Sequence, residues 1–575
     1  MTPFSVGKLA FDSAAISELA RNDKRYTNWP VVYVLDGGAQ SSAYVGETVN
    51  AVARMRQHLA LSKKSKLHTI RVVLDDTFNK SVCLDLESHL IRWLAGDGRF
   101  TLLNGNGGII DAAYYDRHQY RESFRDIFEQ LRAEGVFERT IPEIENSDLF
   151  KLSPFKALTP DQAIAVEDIL EGLFADLAAN VGSTAVIQGQ PGTGKTIIGI
   201  FLLKLLADIR DYDGLDEAQP DSLFSELFVP EHRVLLEGFR MGLVVPQQSL
   251  RESIRRVFKK TPKLHQSMVL SPWDVGLGEG DYDLLIVDET HRLNRRANQS
   301  SGMRNLQYQQ INEKLFGVDD YSKTQLDWIK AKSRHQILLV DREQSVRPAD
   351  LPDSVLRREL DEAQTAQRRY PLTTQMRVRA GTDYVDFIRR LLRGETKEGA
   401  RPDFGEYDLR FFDDLGAMRH AIFAQDAAGG LSRLVAGYAW DWVSRNDANA
   451  HDIVLDNVAL RWNSKDTDWI NSPGSLQEVG SIHTVQGYDL NYAGVIIGQD
   501  LRYDVDSGQL FIDRNSYRDK KGSENNTALR VKFTDEDLLQ YIRNIYGVLL
   551  TRGMLGTYIY VCDPALREYV RRSLR

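Results

Sequence analysis

Residues 186–200 read "VIQGQPGTGKTIIGI", and how this stretch is read decides the fold of most of the chain. Within it, Gly189-Gln190-Pro191-Gly192-Thr193-Gly194-Lys195-Thr196 satisfies the pattern G-x-x-x-x-G-K-[ST]. Apolar "TAVIQ" precedes the pattern and the helix-compatible "IIGIFLLKLL" follows it, so the glycines sit at a strand-to-helix turn. There, Gly189, Gly192, Thr193 and Gly194 let backbone N–H groups wrap phosphate oxygens, Lys195 reaches the β and γ oxygens, and Thr196 supplies a hydroxyl to Mg²⁺. The expected cofactors are ATP and Mg²⁺.

A magnesium-nucleotide site also needs a metal-holding carboxylate and a base. The stretch "YDLLIVDETHRL" (282–293) ends a four-residue apolar strand on Asp288-Glu289. Asp288 is expected to hold the metal's water shell, and Glu289 to orient and deprotonate the attacking water. Around these two segments, strand-like runs ("TAVIQG", "MGLVVP", "YDLLIVDE", "HQILLVD") alternate with helical patterns. That alternation predicts parallel sheets covered by helices on both faces. A second series ("DIVLD", "YAGVIIGQD", "GTYIYVCD") continues toward residue 575. The expected division is one lobe over 154–368 and a second over 369–575.

At 575 residues the chain exceeds the roughly 250–300 residues that one hydrophobic core spans. Its 42% hydrophobic and 27% charged residues are ordinary for a folded protein, and no run reaches the ~20 apolar residues of a membrane helix. The first residues lack a basic start followed by an apolar core, and only Cys83 and Cys562 occur, so a reducing cytoplasm and no disulfide framework are expected. A net charge of −9 argues against indiscriminate coating of nucleic acid but leaves room for a local basic groove. The acidic "DIRDYDGLDEAQPDSLF" (208–224) reads as a surface insertion.

From residue 156 onward the chain resembles the superfamily 1 helicases, through several motifs in that family's order. The resemblance implies two RecA-like lobes with the nucleotide between them. "LTPDQ" looks like the adenine-reading glutamine motif, on Gln162. "VVPQQSLRESIRRVF" resembles the segment that touches the nucleic-acid backbone. In "LLVDREQSVRP", Gln344 matches the γ-phosphate sensor and Asp341 the residue coupling the site to the strand. In "TTQMRVRAG", Arg377 matches an arginine reaching the γ-phosphate from the second lobe. "SIHTVQGYDLNYAGVIIG" resembles the H-x-x-Q-G motif, with His483 and Gln486 toward nucleic acid. "YGVLLTRGMLGTYIYV" ends the series with Arg552 as an arginine finger. The last two are most similar to the branch related to the helicase part of Schlafen proteins. Tyr488 stands where an acidic residue is usual, leaving Asp489 one place later. About 40 residues separate "LVVPQQ" from Asp288 and about 100 separate Arg377 from His483, so little room exists for large inserted domains. A lean motor that translocates better than it unwinds is expected.

The N-terminal region carries a second constellation. "VVYVL" (31–35) and the strand closing on Tyr44-Val45-Gly46 place Tyr33 and Tyr44 in β-structure. Arg54 and His58, four apart, share one helix face. Glu87 lies in the helical "LDLESHLIRWL", and Asn104 in a glycine-rich turn. This arrangement resembles the GIY-YIG nucleases over residues 29–108, with Val31-Val32-Tyr33 where glycine-isoleucine-tyrosine is typical. The resemblance implies one divalent metal, Mg²⁺ or Mn²⁺, on Glu87. It also implies Arg54 stabilising charge on the scissile phosphate, and Tyr33, assisted by His58 or Tyr44, orienting or deprotonating water. Phosphodiester hydrolysis needs such a Lewis acid, a positive group and a proton acceptor.

Between Thr48 and Leu74 there is no Asp or Glu, while Arg54, Arg56, Lys63, Lys64, Lys66 and Arg71 supply six positive charges, a candidate phosphate track. The expected architecture is therefore α/β throughout: a small GIY-YIG-like domain over 1–112, a helical connector over 113–153 and the two lobes. The expected function is an ATP-driven translocase or helicase joined to an endonuclease, acting on nucleic acid (DNA ahead of RNA) in antiviral defence or DNA processing in bacteria. The rival expectation is a nucleic-acid-triggered ATPase switch whose N-terminal domain binds without cutting.

Overall fold

The computed structural model describes residues 4–38, 42–60, 66–104, 114–155, 158–212, 224–296, 299, 301–341, 344, 348–399, 401–447, 449–465, 469–485, 488–519, 525 and 532–575. Lys63, Lys64 and Gln486, and most of the acidic insertion, fall outside them. Two compact units are present, one of Met1–Ala163, Ile200–Gly238 and Ser253–Met268, the other of Ile164–Gly199, Phe239–Glu252 and Val269–Arg575. No helix among the described residues is long and apolar enough to cross a membrane.

The first unit is built on a five-stranded sheet of β1 (Phe4–Ala10), β2 (Val31–Asp36), β3 (Ser42–Thr48), β4 (Thr69–Asp75) and β5 (Thr101–Leu102), in the order β1-β4-β2-β3-β5. All its pairings are antiparallel except β3 with β5. Because successive side chains point to opposite faces, β2 is buried along its whole length and feeds two cores. Val32 and Val34 pack with Val82, Leu86 and Leu90 of the helix Lys80–Asp97. Val31, Tyr33 and Leu35 pack with Val52 and Met55 of the helix Ala51–Ala60. Phe124, Ile127, Phe128 and Leu131, on the helix Arg117–Ala133, join the first of these cores. The segment expected as a connector is thus built into the same core as the sheet, because its apolar stripe has that sheet to cover.

The second unit contains two parallel-sheet α/β lobes of RecA-like type. The first sheet comprises β6 (Ser183–Gly189), β7 (Met241–Val244), β8 (Val269–Leu270), β9 (Tyr282–Val287), β10 (Ser333–Val340) and β11 (Arg369–Leu372), in the order β11-β6-β10-β9-β7-β8, with every pairing parallel. The second comprises β12 (Asp408–Phe411), β13 (Ser432–Ala436), β14 (Ile453–Leu455), β15 (Val458–Trp462), β16 (Glu478–Ser481), β17 (Leu490–Ile497) and β20 (Gly553–Val561), in the order β12-β20-β17-β13-β16-β15-β14. Only β14 runs antiparallel to its neighbour. A two-stranded ribbon of β18 (Leu501–Asp504) and β19 (Gln509–Ile512) lies between β17 and β20 in sequence. β13 and most of β10 and β17 are buried on both faces, as parallel strands under two helical layers must be. The division expected at 368/369 is displaced: Arg369–Leu372 pairs with β6, so the crossover between lobes begins after Leu372. A short "RYPL" run with no periodicity of its own does not betray which sheet it joins.

Candidate functional site

In an open α/β sheet, ligands bind beyond the carboxyl ends of the strands. In the first lobe those ends carry the phosphate-loop residues after β6, Asp288-Glu289 after β9 and Asp341 after β10. Gly192 and Gly194 take the left-handed conformation, with φ of 87° and 81°. A Cβ at Gly192 would lie 2.1 Å from Oε1 of Gln375 and 2.7 Å from Cβ of Arg377. The loop therefore needs glycine there both for its backbone and for the close approach of the segment that follows β11. That segment is fastened to it: Gln375 Nε2 donates to Pro191 O at 2.7 Å, and Met376 N donates to Gly192 O at 2.9 Å.

Lys195 is buried, and its Nζ donates to Gly189 O (2.8 Å) and Gln190 O (2.9 Å) while lying 3.6 Å from Asp341 Oδ2. Thr196 Oγ1 donates to the Asp288 carboxylate at 2.9 Å. Asp288 is fully buried, and burial, then the adjacent Glu289, pushes its pKa up. Burial also acts to raise Glu289, but the His291 hydrogen bond and the charges of His291, Lys195 and Arg292 overcome it and hold that carboxyl below the usual range. His291 Nε2 lies 2.9 Å from Glu289 Oε2. Its Nδ1 accepts from the Asp341 N–H at 3.4 Å, so Nε2 carries the proton that faces Glu289. Glu289 itself sits at φ 47°, in the left-handed region. A non-glycine residue held there carries strain of the kind that collects at functional positions.

Gln344 Nε2 donates to Asp341 Oδ2 at 2.7 Å, and its Oε1 is buried without a hydrogen-bond partner among the described residues. From the second lobe, Arg377 forms an ion pair with Asp489. Arg552, only 2% exposed, donates from Nη1 to Tyr488 O at 3.0 Å. Burial, then the nearby Arg377, pulls the Arg552 pKa down, while Asp489 and Glu289 oppose the shift. Lys195, Thr196, Asp288, Glu289, Gln344, Arg377 and Arg552 thus converge. Their donor set fits a magnesium nucleotide: a glycine cradle, an ammonium within it, a hydroxyl on a buried carboxylate that lacks a full counter-charge, and an orphaned amide oxygen. Gln162 starts the helix Pro160–Ala179, where its Oε1 accepts from Thr159 N at 3.0 Å. The sequence reading missed His291, Gln375 and the use of Asp489 as the partner of Arg377. Histidine three places after a buried aspartate was the available signal for the first.

A cleft of about 240 Å³ opens beside this site. Its walls include Gln247 and Gln248 beyond β7, Trp273 beyond β8, and Arg292 and Asn294 beyond β9, with His483 from the second lobe. His483 Nε2 lies 3.0 Å from Asp519 Oδ2. Arg292 belongs to both places, since it lines the cleft while its charge bears on Glu289 and Arg552.

In the first unit, β2 and β3 set Tyr33 opposite Gly46 and Leu35 opposite Tyr44. The Tyr33 hydroxyl is 2.8 Å from His58 Nε2, and the Tyr44 and His58 rings meet edge-on at 5.1 Å. A Cβ at Gly46 would lie 2.3 Å from the Tyr33 hydroxyl, so the phenol occupies the space that glycine leaves. Burial, then Tyr44, raises Tyr33 well above an ordinary phenol, with Arg54 opposing. Glu87 is on the helix Lys80–Asp97, which covers the other face of the sheet. Burial, then Glu47, pushes its pKa up to about 8, with Lys80 and Arg54 opposing. Glu47 is ion-paired to Lys80, and its Oε2 is buried without a hydrogen-bond partner among the described residues. This acidic pair, with Lys80 and Arg54 as its neighbouring cations, offers carboxylate oxygens of the kind a divalent cation takes. Among the described residues, however, no group of three metal-ligating side chains occurs.

Two expected residues have structural roles instead. Asn104 bonds both backbone groups of Val45, with Oδ1 accepting at 3.1 Å and Nδ2 donating at 2.8 Å, and so extends the sheet edge. Arg71 is not part of a phosphate track: it is 5% exposed and ion-paired to Asp36 and Glu134, since its β4 position points into the fold. Arg56 and Lys66 are exposed.

Residues 182–563 match the family described as Schlafen group 3, DNA/RNA helicase domain. An uncharacterized protein of Saccharomyces cerevisiae is 27% identical over 426 residues, covering 67% of this chain and 83% of that one. Among solved structures, the arterivirus nonstructural protein 10 helicase aligns at 13% identity with a TM-score of 0.28, covering 70% of this chain and 64%, less than two thirds, of the viral one. The Pif1 helicase from Bacteroides, in complex with ADP-AlF3 and single-stranded DNA, aligns at 11% identity and a TM-score of 0.24, covering 70% and 92%. These two likenesses are too distant to bear on the site. The family match spans both lobes and every phosphate-loop residue, and on it the chain belongs to the Schlafen group 3 DNA/RNA helicase domain family.

Proposed function

We propose that the protein is an ATP-driven nucleic-acid translocase whose N-terminal domain hydrolyses phosphodiester bonds. The observation that carries the motor half is the meeting of Lys195, Thr196–Asp288 and Glu289–His291 of one lobe with Arg377 and Arg552 of the other. ATP with Mg²⁺ supplies the phosphoanhydride and the cation. Gly192, Gly194 and Lys195 bind the phosphates, and Thr196 and Asp288 hold the metal. Glu289, kept ionised by His291 and Lys195, orients water and takes its proton. Gln344 and the two arginines neutralise the charge on the transferring group, and because the arginines come from the second lobe, hydrolysis is tied to the lobes being together. Nucleic acid runs through the cleft lined by Gln248, Arg292 and His483.

The N-terminal half rests on the buried Tyr33–His58 contact and the Glu47–Glu87 pair. Glu87 would hold a divalent cation, which would supply Lewis acidity, and Arg54 would face the phosphate. A phenol with a raised pKa does not ionise alone, so Tyr33 orients the water; the water's proton passes to His58 as its oxygen bonds to phosphorus, and the bond from phosphorus to the leaving oxygen breaks, that oxygen taking a proton from solvent. DNA is the expected substrate, with RNA the alternative, and processing of foreign or damaged DNA is the setting such a fusion suits. One observation favours a second reading, in which the domain binds without cutting: Glu87 stands on the helix that covers the opposite face of the sheet from Tyr33 and His58, even though its charge reaches Tyr33.

The test is ATP hydrolysis and cleavage of labelled single-stranded, duplex and forked DNA, with matched RNA, in Mg²⁺ or Mn²⁺. Lys195→Ala should abolish ATP turnover, and Glu87→Ala should abolish cleavage while sparing it. Full ATP turnover in the Lys195 variant would refute the motor assignment. Stimulated ATP turnover with no cleavage by wild type would favour the binding-only reading.

A further inference from the structure

Arg552 is 2% exposed, and the charge of Arg377 bears against its own. Two cations in a buried place repel unless a counter-charge stands with them. The backbone brings one there. Leu490 and Gly553 open the parallel strands β17 and β20 in register, so Asp489 and Arg552, each one residue earlier, enter the second sheet side by side. Leu490 N donates to Arg552 O at 3.1 Å and Arg552 Nη1 to Tyr488 O at 3.0 Å, while Arg379 N donates to Met554 O at 3.1 Å and so fastens the Arg377 segment to the same place. The Asp489 carboxylate meets the Arg377 guanidinium through Oδ1 and Nε, and its charge also supports Arg552. The charges are balanced in this way, yet the donors of the guanidinium are not spent. Arg377 Nε and Nη1 are buried with no hydrogen-bond partner among the described residues, and so is Arg552 Nε. A fork-to-fork carboxylate pair would have consumed the donors of Arg377. Buried donors left unpaired are costly unless a ligand takes them.

We propose that Asp489 is a positioning residue for ATP hydrolysis: its carboxylate balances Arg377 and keeps that guanidinium beside Arg552, while Nε–H and Nη1–H stay available for the oxygens of the transferring phosphoryl group. The inference rests on the motor reading and adds to it an acidic residue that touches neither nucleotide nor metal. Asp489 acts through Arg377, and it acts on the transition state, where the oxygens of the transferring group carry the charge that the arginines meet. A residue with that role changes the rate of the bound complex and leaves the grip on ATP alone. An acid that contacted the nucleotide itself would do the reverse.

The experiment measures kcat and KM for ATP in the full chain, with oligothymidine and separately with oligouridine present, for wild type, Asp489→Asn, Asp489→Glu, Arg377→Ala and the two Asp489 variants combined with Arg377→Ala. Asp489→Asn should lower kcat about tenfold without raising KM. Asp489→Glu, which keeps the negative charge, should recover most of that loss. Arg377→Ala should lower kcat by the order of 10²–10³, and adding either Asp489 variant to it should cost nothing further, because the group through which Asp489 acts is already gone. Three results would each overturn the proposal while leaving the motor reading in place: an unchanged kcat in Asp489→Asn, a raised KM at unchanged kcat, or the same cost with and without Arg377. If Asp489→Asn does not fold, the cycle of Asp489→Glu with Arg377→Ala puts the same question, and equal loss in both backgrounds is again the refuting result. Turnover untouched by Lys195→Ala takes down the motor reading itself, and this inference falls with it.

Discussion

Replacing Gly46 with alanine tests the N-terminal site at the point where the geometry is tightest. The new Cβ would lie 2.3 Å from the Tyr33 hydroxyl, 2.4 Å from Cζ and 3.0 Å from Cε2. Two effects oppose each other. Alanine in a strand gains about 0.5–1 kcal/mol over glycine from backbone entropy, whereas forcing a methyl into a packed core costs about 1–3 kcal/mol. The ring cannot swing aside freely, because Tyr33 is fully buried and held by His58 at 2.8 Å. The clash should therefore win, with a net loss of about 1–2 kcal/mol in urea unfolding. The Tyr33–His58 contact should break with it, so any cleavage should fall while ATP turnover persists. Tyr33→Leu removes Cζ, Cε2 and the hydroxyl, so in that background Gly46→Ala should cost nothing further. The coupling measured by this cycle should equal the clash. A Gly46→Ala protein as stable as wild type, or a cycle with additive costs, would refute this account of why glycine faces Tyr33.

Three further outcomes are expected. Lys195→Ala should lower ATP turnover by at least the order of 10²–10³ typical of removing one group that stabilises transition-state charge, measured as phosphate release at saturating nucleotide. Arg292 lines the cleft and its charge bears on Glu289, so Arg292→Ala should cut the ratio of nucleic-acid-stimulated to basal ATP hydrolysis about tenfold, or ~1.4 kcal/mol of coupling; an unchanged ratio would exclude it as the link. Asp500 is buried under the Tyr546 hydroxyl at 2.6 Å, and burial raises its pKa from 3.8 to about 7. Between those values the folded state keeps a proton that the unfolded chain has lost, so stability should fall as pH rises through the window, by up to about 4 kcal/mol. Asp500→Asn should flatten that slope in urea titrations at pH 5 and pH 8.

The sequence by itself determined the two helicase-type α/β lobes. A phosphate loop is a local object: a strand, a run of glycines at positive φ and a helix are contiguous, so Gly189 to Thr196 could be assigned their places without a fold. The buried strand ending in Asp288-Glu289 was legible for the same reason, and the α/β class followed from the alternation of apolar strands with helices. Local β and helix patterns likewise placed Tyr33, Tyr44 and His58 on elements that the structure packs together. What only the tertiary structure decided were relations between distant residues of similar chemistry. Arg71 and Arg56 look alike in a basic run, yet one is buried against Asp36 and the other faces solvent, because β4 is covered and one face of the helix Ala51–Ala60 is not. Asp489 pairs with Arg377, Glu87 meets Glu47, and Arg552 donates to Tyr488 O. No periodicity records those meetings, since each depends on loops that arrive from separate strands, and charge and hydrogen bonding act through space rather than along the chain.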